Sequence, residues 1–228
     1  MTTLLAIETS TEMASVALLS DQGLIIRELA GVQTHSQGIL PAIQEILKEA
    51  SIALNQCDAI AFGCGPGAFT GVRTACGIVQ GLAFGANLPI LPIVSLHAMA
   101  QAAHQRRQDV ECICVLDARM GEVYWAHYRY QNENWQLVKE PALSTAEQVL
   151  LNVSTLDLSL VLGNGAMPTI TAASENVFFN MPHAQYVAEL ALIDFSMGRQ
   201  LRAEQAQPLY LRNKIALTTL ERSLLKTN

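Results

Sequence analysis

The sequence predicts a mixed α/β protein built as two duplicated halves of βββαβα type, residues 1–107 and 108–228. Three observations carry this. Short apolar runs alternate with stripes of helical period. The order of elements restarts after Asp109. Each half opens with an apolar strand that ends in an acid beside small residues, "LLAIETS" and "ICVLDAR", followed by an alternating strand that returns.

In the first half, residues 2–9, 13–20 and 23–29 read as three short strands joined by tight turns. Residues 37–54 carry Ile39, Ile43, Ile46, Ala50 and Ala53 on one helical stripe, which sets Pro41 in the first turn, where no amide hydrogen bond is lost. "DAIAFG" (58–63) is a buried strand, 69–86 a helix, "LPILPIV" a strand and 95–107 a helix. In the second half "VECICVLDA" and "GEVYWAHYRY" form a hairpin, and "WQLVKE" adds a third strand. Ser144 with Glu147 three residues later opens a helix as a capping box. "LSLVLGNGA" is a strand and glycine turn, and 184–202 a long helix.

Composition narrows the function classes. Half of the 228 residues are hydrophobic and 15% are charged, against roughly a quarter in ordinary domains. So few charges leave apolar surface for a partner to cover. A net charge of −6 and a low aromatic share speak against autonomous nucleic-acid binding. Five cysteines without CxxC spacing read as reduced core thiols. No run reaches the roughly 18 apolar residues of a membrane span, and the N-terminus has no basic region, so a soluble cytoplasmic protein is expected.

The stretch "GCGPGAFTGVR" (63–73) tests for nucleotide binding. A P-loop ends in Gly-Lys-Ser/Thr, but Val72 follows Gly71, and no lysine occurs between Lys48 and Lys139. Gly63, Gly65 and Ala68 fit the loose dinucleotide pattern, yet no Asp or Glu occurs from 59 to 108 to hold a ribose. A structural reading remains: glycines give backbone freedom and close passage from strand to helix, and Pro66 stiffens the turn. On the helix that follows, Gly71, Ala75, Ile78, Val79 and Leu82 share a core face. Phe69, Arg73, Cys76, Gly77, Gln80, Gly81 and Phe84 share the other. That second face is small and mildly polar, suited to close helix approach by a partner; the alternative is packing only within the fold.

Taken together, "ETST", "GPGAFTGVR", "DARMGEVYWAHY" and "PLYLRNKIA" (208–216) resemble the TsaB family, within the actin, sugar-kinase and heat-shock-protein ATPase superfamily. The resemblance runs nearly the whole length except 140–205. It implies the actin-like, ribonuclease H-like architecture and a role in making threonylcarbamoyl-adenosine beside the anticodon of tRNAs that read codons starting with A. It implies work as a non-catalytic scaffold bound to the catalytic paralogue TsaD, together with the ATPase TsaE, with tRNA met only through the complex and a homodimer when alone. In the paralogue a His-x-x-x-His pair binds the active metal. The corresponding positions here are Leu96 and Ala100, while His97 and His104 stand seven residues apart, too far to share a metal. No cofactor of its own is expected, although an adenine nucleotide at the partner boundary stays open.

Glu8, Thr9, Ser10 and Asp117 stand where the superfamily arranges acids around a metal-bound phosphate. Either they line a vestigial nucleotide cleft or, the favoured reading, they satisfy turns at strand ends. Arg119 reads equally as a partner of Glu122 or as an interface residue. His35, His127 and His183 have no company that suggests catalysis. Two other functions compete with the scaffold: an independent ATPase, kinase or peptidase-like enzyme of the superfamily, and a direct tRNA-binding module.

Overall fold

The computed structural model describes residues 2–30, 35–153, 158–164, 170 and 176–212. Its order is β1 (Leu4–Glu8), β2 (Met13–Ser20), β3 (Gly23–Ala30), α1 (His35–Glu49), β4 (Ala59–Gly65), α2 (Phe69–Ala86), β5 (Ile90–Val94) and α3 (Ser95–Arg107). The second half runs β6 (Glu111–Asp117), β7 (Glu122–Gln131), β8 (Asn134–Thr145), α4 (Ala146–Val153), β9 (Ser159–Leu162), β10 (Val177–Phe179) and α5 (Ala184–Ser196).

Each half makes one five-stranded mixed sheet among the described residues, ordered β3-β2-β1-β4-β5 and β8-β7-β6-β9-β10. In each, the first three strands are antiparallel and the last two run parallel to the first. The same connectivity twice is the duplicated actin-like, ribonuclease H-like α/β architecture. Tight turns suffice for the antiparallel meander, while the parallel strands need helical crossovers.

The layers run α1/α2, first sheet, α5 with α3, second sheet, α4. Leu5, Ile7, Val16 and Phe62 point from the first sheet into α1 and α2, and the alternate residues Leu4, Ala6, Ala17 and Ala61 point into α5. Strand alternation therefore reads as two apolar faces rather than one. The closing helices are exchanged. Helix α5, from the second half, covers the first sheet, and α3, from the first half, packs on β6, β7 and β9. Chain position 107 ends α3, but the hydrophobic core does not divide there.

Several boundaries differ from the sequence reading. Helix α1 starts at His35, so Pro41 sits in its second turn, on the exposed side, where water can serve the carbonyl left without an amide. It ends at Glu49 because Ser51 turns left-handed, φ 56°. The capping box belongs to Thr145 and Gln148, one residue later than Ser144 and Glu147: Thr145 N donates to Gln148 Oε1 at 3.2 Å and Gln148 N to Thr145 Oγ1 at 3.4 Å. Ser144 instead accepts the Trp125 indole at 3.0 Å. Strand β8 runs past Pro141, which an edge strand tolerates. Helix α5 stops at Ser196, before Gly198 at φ 72°, and Leu201 then bridges to Ile90. No helix among the described residues is long and apolar enough to cross a membrane.

Candidate functional site

The glycine-rich turn and the "ETST" segment occupy each other. The buried Glu8 carboxylate accepts Ser10 N at 2.6 Å and the Ser95 hydroxyl at 2.8 Å, and it lies against the Gly63 Cα, where a Cβ would overlap it. A Cβ at Gly67 would run into the Ser10 backbone, and one at Gly71 into the Thr9 carbonyl. Thr9 donates its hydroxyl to Gly71 O at 2.7 Å, and Ala68 N donates to Ser10 O at 2.6 Å. The turn thus brings the start of α2 onto the β1–β2 connection at backbone contact, which only glycine permits. Gly65, at φ 101°, precedes a cis bond to Pro66. Burial pushes the Glu8 carboxyl above its ordinary pKa, with the Ser10 and Ser95 hydrogen bonds opposing. Glu8, Thr9 and Ser10 are fully buried and are not among the residues that line the interlobe cavity described below.

Helix α2 forms part of the outermost layer beside α1. Phe69, Arg73, Gly77, Gln80, Gly81 and Phe84 are exposed, Phe84 by 80%. Cys76 is a correction: it is 8% exposed and packs in the core with Val79 and Ala83. It continues the i, i+4, i+7, i+11 row of Val72, Cys76, Val79 and Ala83, all buried, which places it on the core edge of the wheel. Burial raises its thiol pKa. All five cysteines are free and buried. A Cβ added at Gly77, Gly81 or Gly85 would meet nothing within 4 Å, so the fold itself places no demand for glycine there.

At the N-terminal end of this face lies a cavity of ≈ 780 Å³ between the two halves. Its walls include Glu12, Phe69, Arg73, Asp117, Arg119, Tyr124 and the chain at 209–212. That last segment straps the halves together. Leu209 N donates to Cys64 O at 2.7 Å and Arg73 Nε to Tyr210 Oη at 2.5 Å on the first half. On the second, Arg212 pairs with Glu122 at 2.7 Å and donates to Ala118 O at 2.8 Å. Arg119 therefore does not pair with Glu122. It sits beside Asp117 at 3.4 Å, in a β6–β7 turn of positive φ at Arg119, Met120 and Gly121. Asp117 Oδ1 accepts Arg119 N at 2.8 Å, and Asp117 is the one member of the expected cleft set that faces the cavity. "PLYLRNKIA" beyond Arg212 and "GNGA" beyond Asn164 lie outside the described residues.

Leu96 and Ala100, which the family resemblance matches to the paralogue's ligand pair, are fully buried where α3 packs on the second sheet. His97 stacks on Tyr128 with ring centroids 4.9 Å apart, and His97 and His104 both meet Trp135 edge-on, at 5.7 and 5.8 Å. The Trp135 indole donates to Gln101 at 2.8 Å. Desolvation lowers the His97 pKa to about 4, so the ring is neutral at pH 7. His127 donates to Glu111 at 2.8 Å and His183 to Glu28 at 3.0 Å while capping α5. No group of three metal-ligating side chains occurs among the described residues. The strap's contacts and the Gln101–Trp135 bond join residues 34 to 145 positions apart, and no local sequence pattern signals them.

The family model for TsaD, tRNA N6-adenosine threonylcarbamoyltransferase, matches residues 12–207. The tRNA threonylcarbamoyladenosine biosynthesis protein TsaB of Haemophilus influenzae is 40% identical over 225 residues, covering 93% of this chain and 94% of its own. That of Escherichia coli K12 is 38% identical, covering 93% and 96%. A Pseudomonas aeruginosa crystal structure, described as similar to the peptidase YEAZ, superposes with a TM-score of 0.85 at 38% identity over 93% of this chain and 100% of its own. A second, YeaZ from the same organism, superposes with a TM-score of 0.83. On these matches the chain belongs to the TsaD family and, within it, to the TsaB proteins of tRNA threonylcarbamoyladenosine biosynthesis.

Proposed function

We propose that this chain is a non-catalytic subunit of tRNA threonylcarbamoyladenosine synthesis that docks through α2 and α1 onto the paralogous TsaD transferase and activates it. The observation that carries the reading is the outer face of α2: six exposed residues with one charge, and glycines that no neighbour within the chain requires. Glycine in a helix interior costs roughly 1 kcal/mol against alanine, and close approach by a partner helix offsets it. Leu96 and Ala100 leave no imidazole at the positions of the transferase's metal ligands. A second copy would use the same face in an isologous homodimer, so self-association and paralogue binding compete.

The complex includes the ATPase TsaE, and tRNA is met through the complex, since a net charge of −6 disfavours binding of tRNA phosphates by this chain alone. An adenine nucleotide at the partner boundary suits the interlobe cavity, where Arg119 and Arg212 offer charge for phosphate and Tyr124 and Tyr210 offer rings. Gly81→Arg tests the reading. The side chain enters open space in the isolated chain, so the fold stays intact while paralogue binding and tRNA modification by the mixture are lost. Full binding by the folded variant would refute it.

A further inference from the structure

Arg73 is the only charged residue between positions 59 and 105, and the fold holds it in one orientation. Its guanidinium carbon lies 3.5 Å from the Phe69 ring centroid and 5.4 Å from that of Tyr210, and Nε donates to Tyr210 Oη at 2.5 Å. Two rings and one hydrogen bond fix the plane of the fork. Yet among the described residues no carboxylate pairs with it, and Nη1 and Nη2 have no acceptor. Arg27, near this layer, is used differently: it bridges Glu45 and Glu49 of α1.

A guanidinium ordered in advance, with its two terminal nitrogens unspent, is set to receive a carboxylate, because the planar fork matches both oxygens and little side-chain entropy remains to be lost. We infer that Arg73 is the specificity contact of the docking face and that its complement is a carboxylate side chain presented by the paralogous partner. This rests on the docking role of α2 proposed above. A second copy of this chain cannot supply that complement from the same face. Helix α2 contains no Asp or Glu, Glu45 and Glu49 of α1 are already engaged by Arg27, and Glu12 in the cavity wall already has a partner. In a homodimer two Arg73 side chains come to one uncharged surface and neither gains a partner. In the heterodimer the single Arg73 fork closes on an acid within a water-excluded contact, where a charge-assisted pair discriminates between partners. Arg73 thereby biases the competition between self and paralogue.

The test compares wild type, Arg73→Met and Arg73→Lys. Binding to purified TsaD paralogue is measured by calorimetry at low and high salt, and self-association by sedimentation equilibrium. Arg73→Met is expected to weaken paralogue binding by about tenfold or more and to remove most of its salt dependence, with self-association changed by less than about twofold. Arg73→Lys, which keeps the charge but not the fork, falls between. Unchanged paralogue binding by Arg73→Met, or an equal loss of both associations, would overturn the inference. Gly81→Arg, run alongside, separates the two claims. If it abolishes paralogue binding while Arg73→Met does not, the carboxylate contact alone is wrong. If it binds as wild type, the docking face is wrong and this inference falls with it.

Discussion

Replacing Gly77 and Gly81 together by alanine should stabilise the isolated chain and weaken its complexes. Both positions lie inside α2, both are exposed, and a methyl at either meets nothing within 4 Å. The helix therefore gains what alanine is worth over glycine, about 1 kcal/mol at each site. Neither new methyl touches a shared neighbour, so the gains add to about 2 kcal/mol. For a chain of this length that corresponds to a rise in Tm of roughly 4–8 °C. The assay is thermal and urea unfolding at a concentration low enough to keep the chain monomeric, because dimerisation would itself raise apparent stability. Paralogue affinity, measured on the same preparations, should fall, since two methyls hold a partner helix away from the backbone. A loss of stability would mean that this face is packed within the chain. Unchanged affinity would mean that the glycines serve no docking.

Gly71→Ala, on the same helix, should do the opposite and cost at least about 1–3 kcal/mol, because its methyl overlaps the Thr9 carbonyl oxygen; a neutral urea midpoint would refute the interlock. His97, with its pKa lowered to about 4 in the fold against 6.5 unfolded, binds fewer protons folded than unfolded between those values. Its contribution is complete above pH 6.5 and is lost as pH falls toward 4, on the order of 3 kcal/mol. His97→Phe should flatten that part of the acid limb, and urea midpoints at pH 7 and near pH 4 would expose an equal acid loss in both proteins, the contrary result. Arg212→Ala removes one partly exposed ion pair and one backbone hydrogen bond, for a global loss on the order of 1 kcal/mol. Amide exchange should quicken in 208–212 and 117–122, and unchanged exchange there would deny the strap.

What the sequence made legible is local in origin. Strand alternation and helical stripes located β1 to β5 and α2 and α3 to within about two residues, because most of those elements bury a continuous apolar face that a short window reveals. Helix ends were less legible. Ser51 and Gly198 stop α1 and α5 by adopting positive φ, and serine gives no signal for that. Within α2 the two-face wheel misassigned Cys76, because the buried stripe is centred on the row of Val72, Cys76, Val79 and Ala83 rather than on Gly71 and Ala75. The glycines of 63–71 were readable as a close approach, but their partners, Glu8 to Ser10, are more than 50 positions away. The exchange of α3 and α5 between the sheets, and the strap of 209–212 across the cavity, are decided by three-dimensional packing alone.

The most direct test of the account is threonylcarbamoyl transfer to a tRNA that reads codons starting with A, measured with purified components. The set comprises this chain alone, the TsaD paralogue and TsaE alone, all three together, and all three with Gly81→Arg in place of the wild-type chain, each supplied with threonylcarbamoyl-adenylate. The account predicts transfer only in the complete wild-type mixture and background levels with the folded Gly81→Arg chain. Transfer by this chain alone, or full transfer with Gly81→Arg, would contradict it.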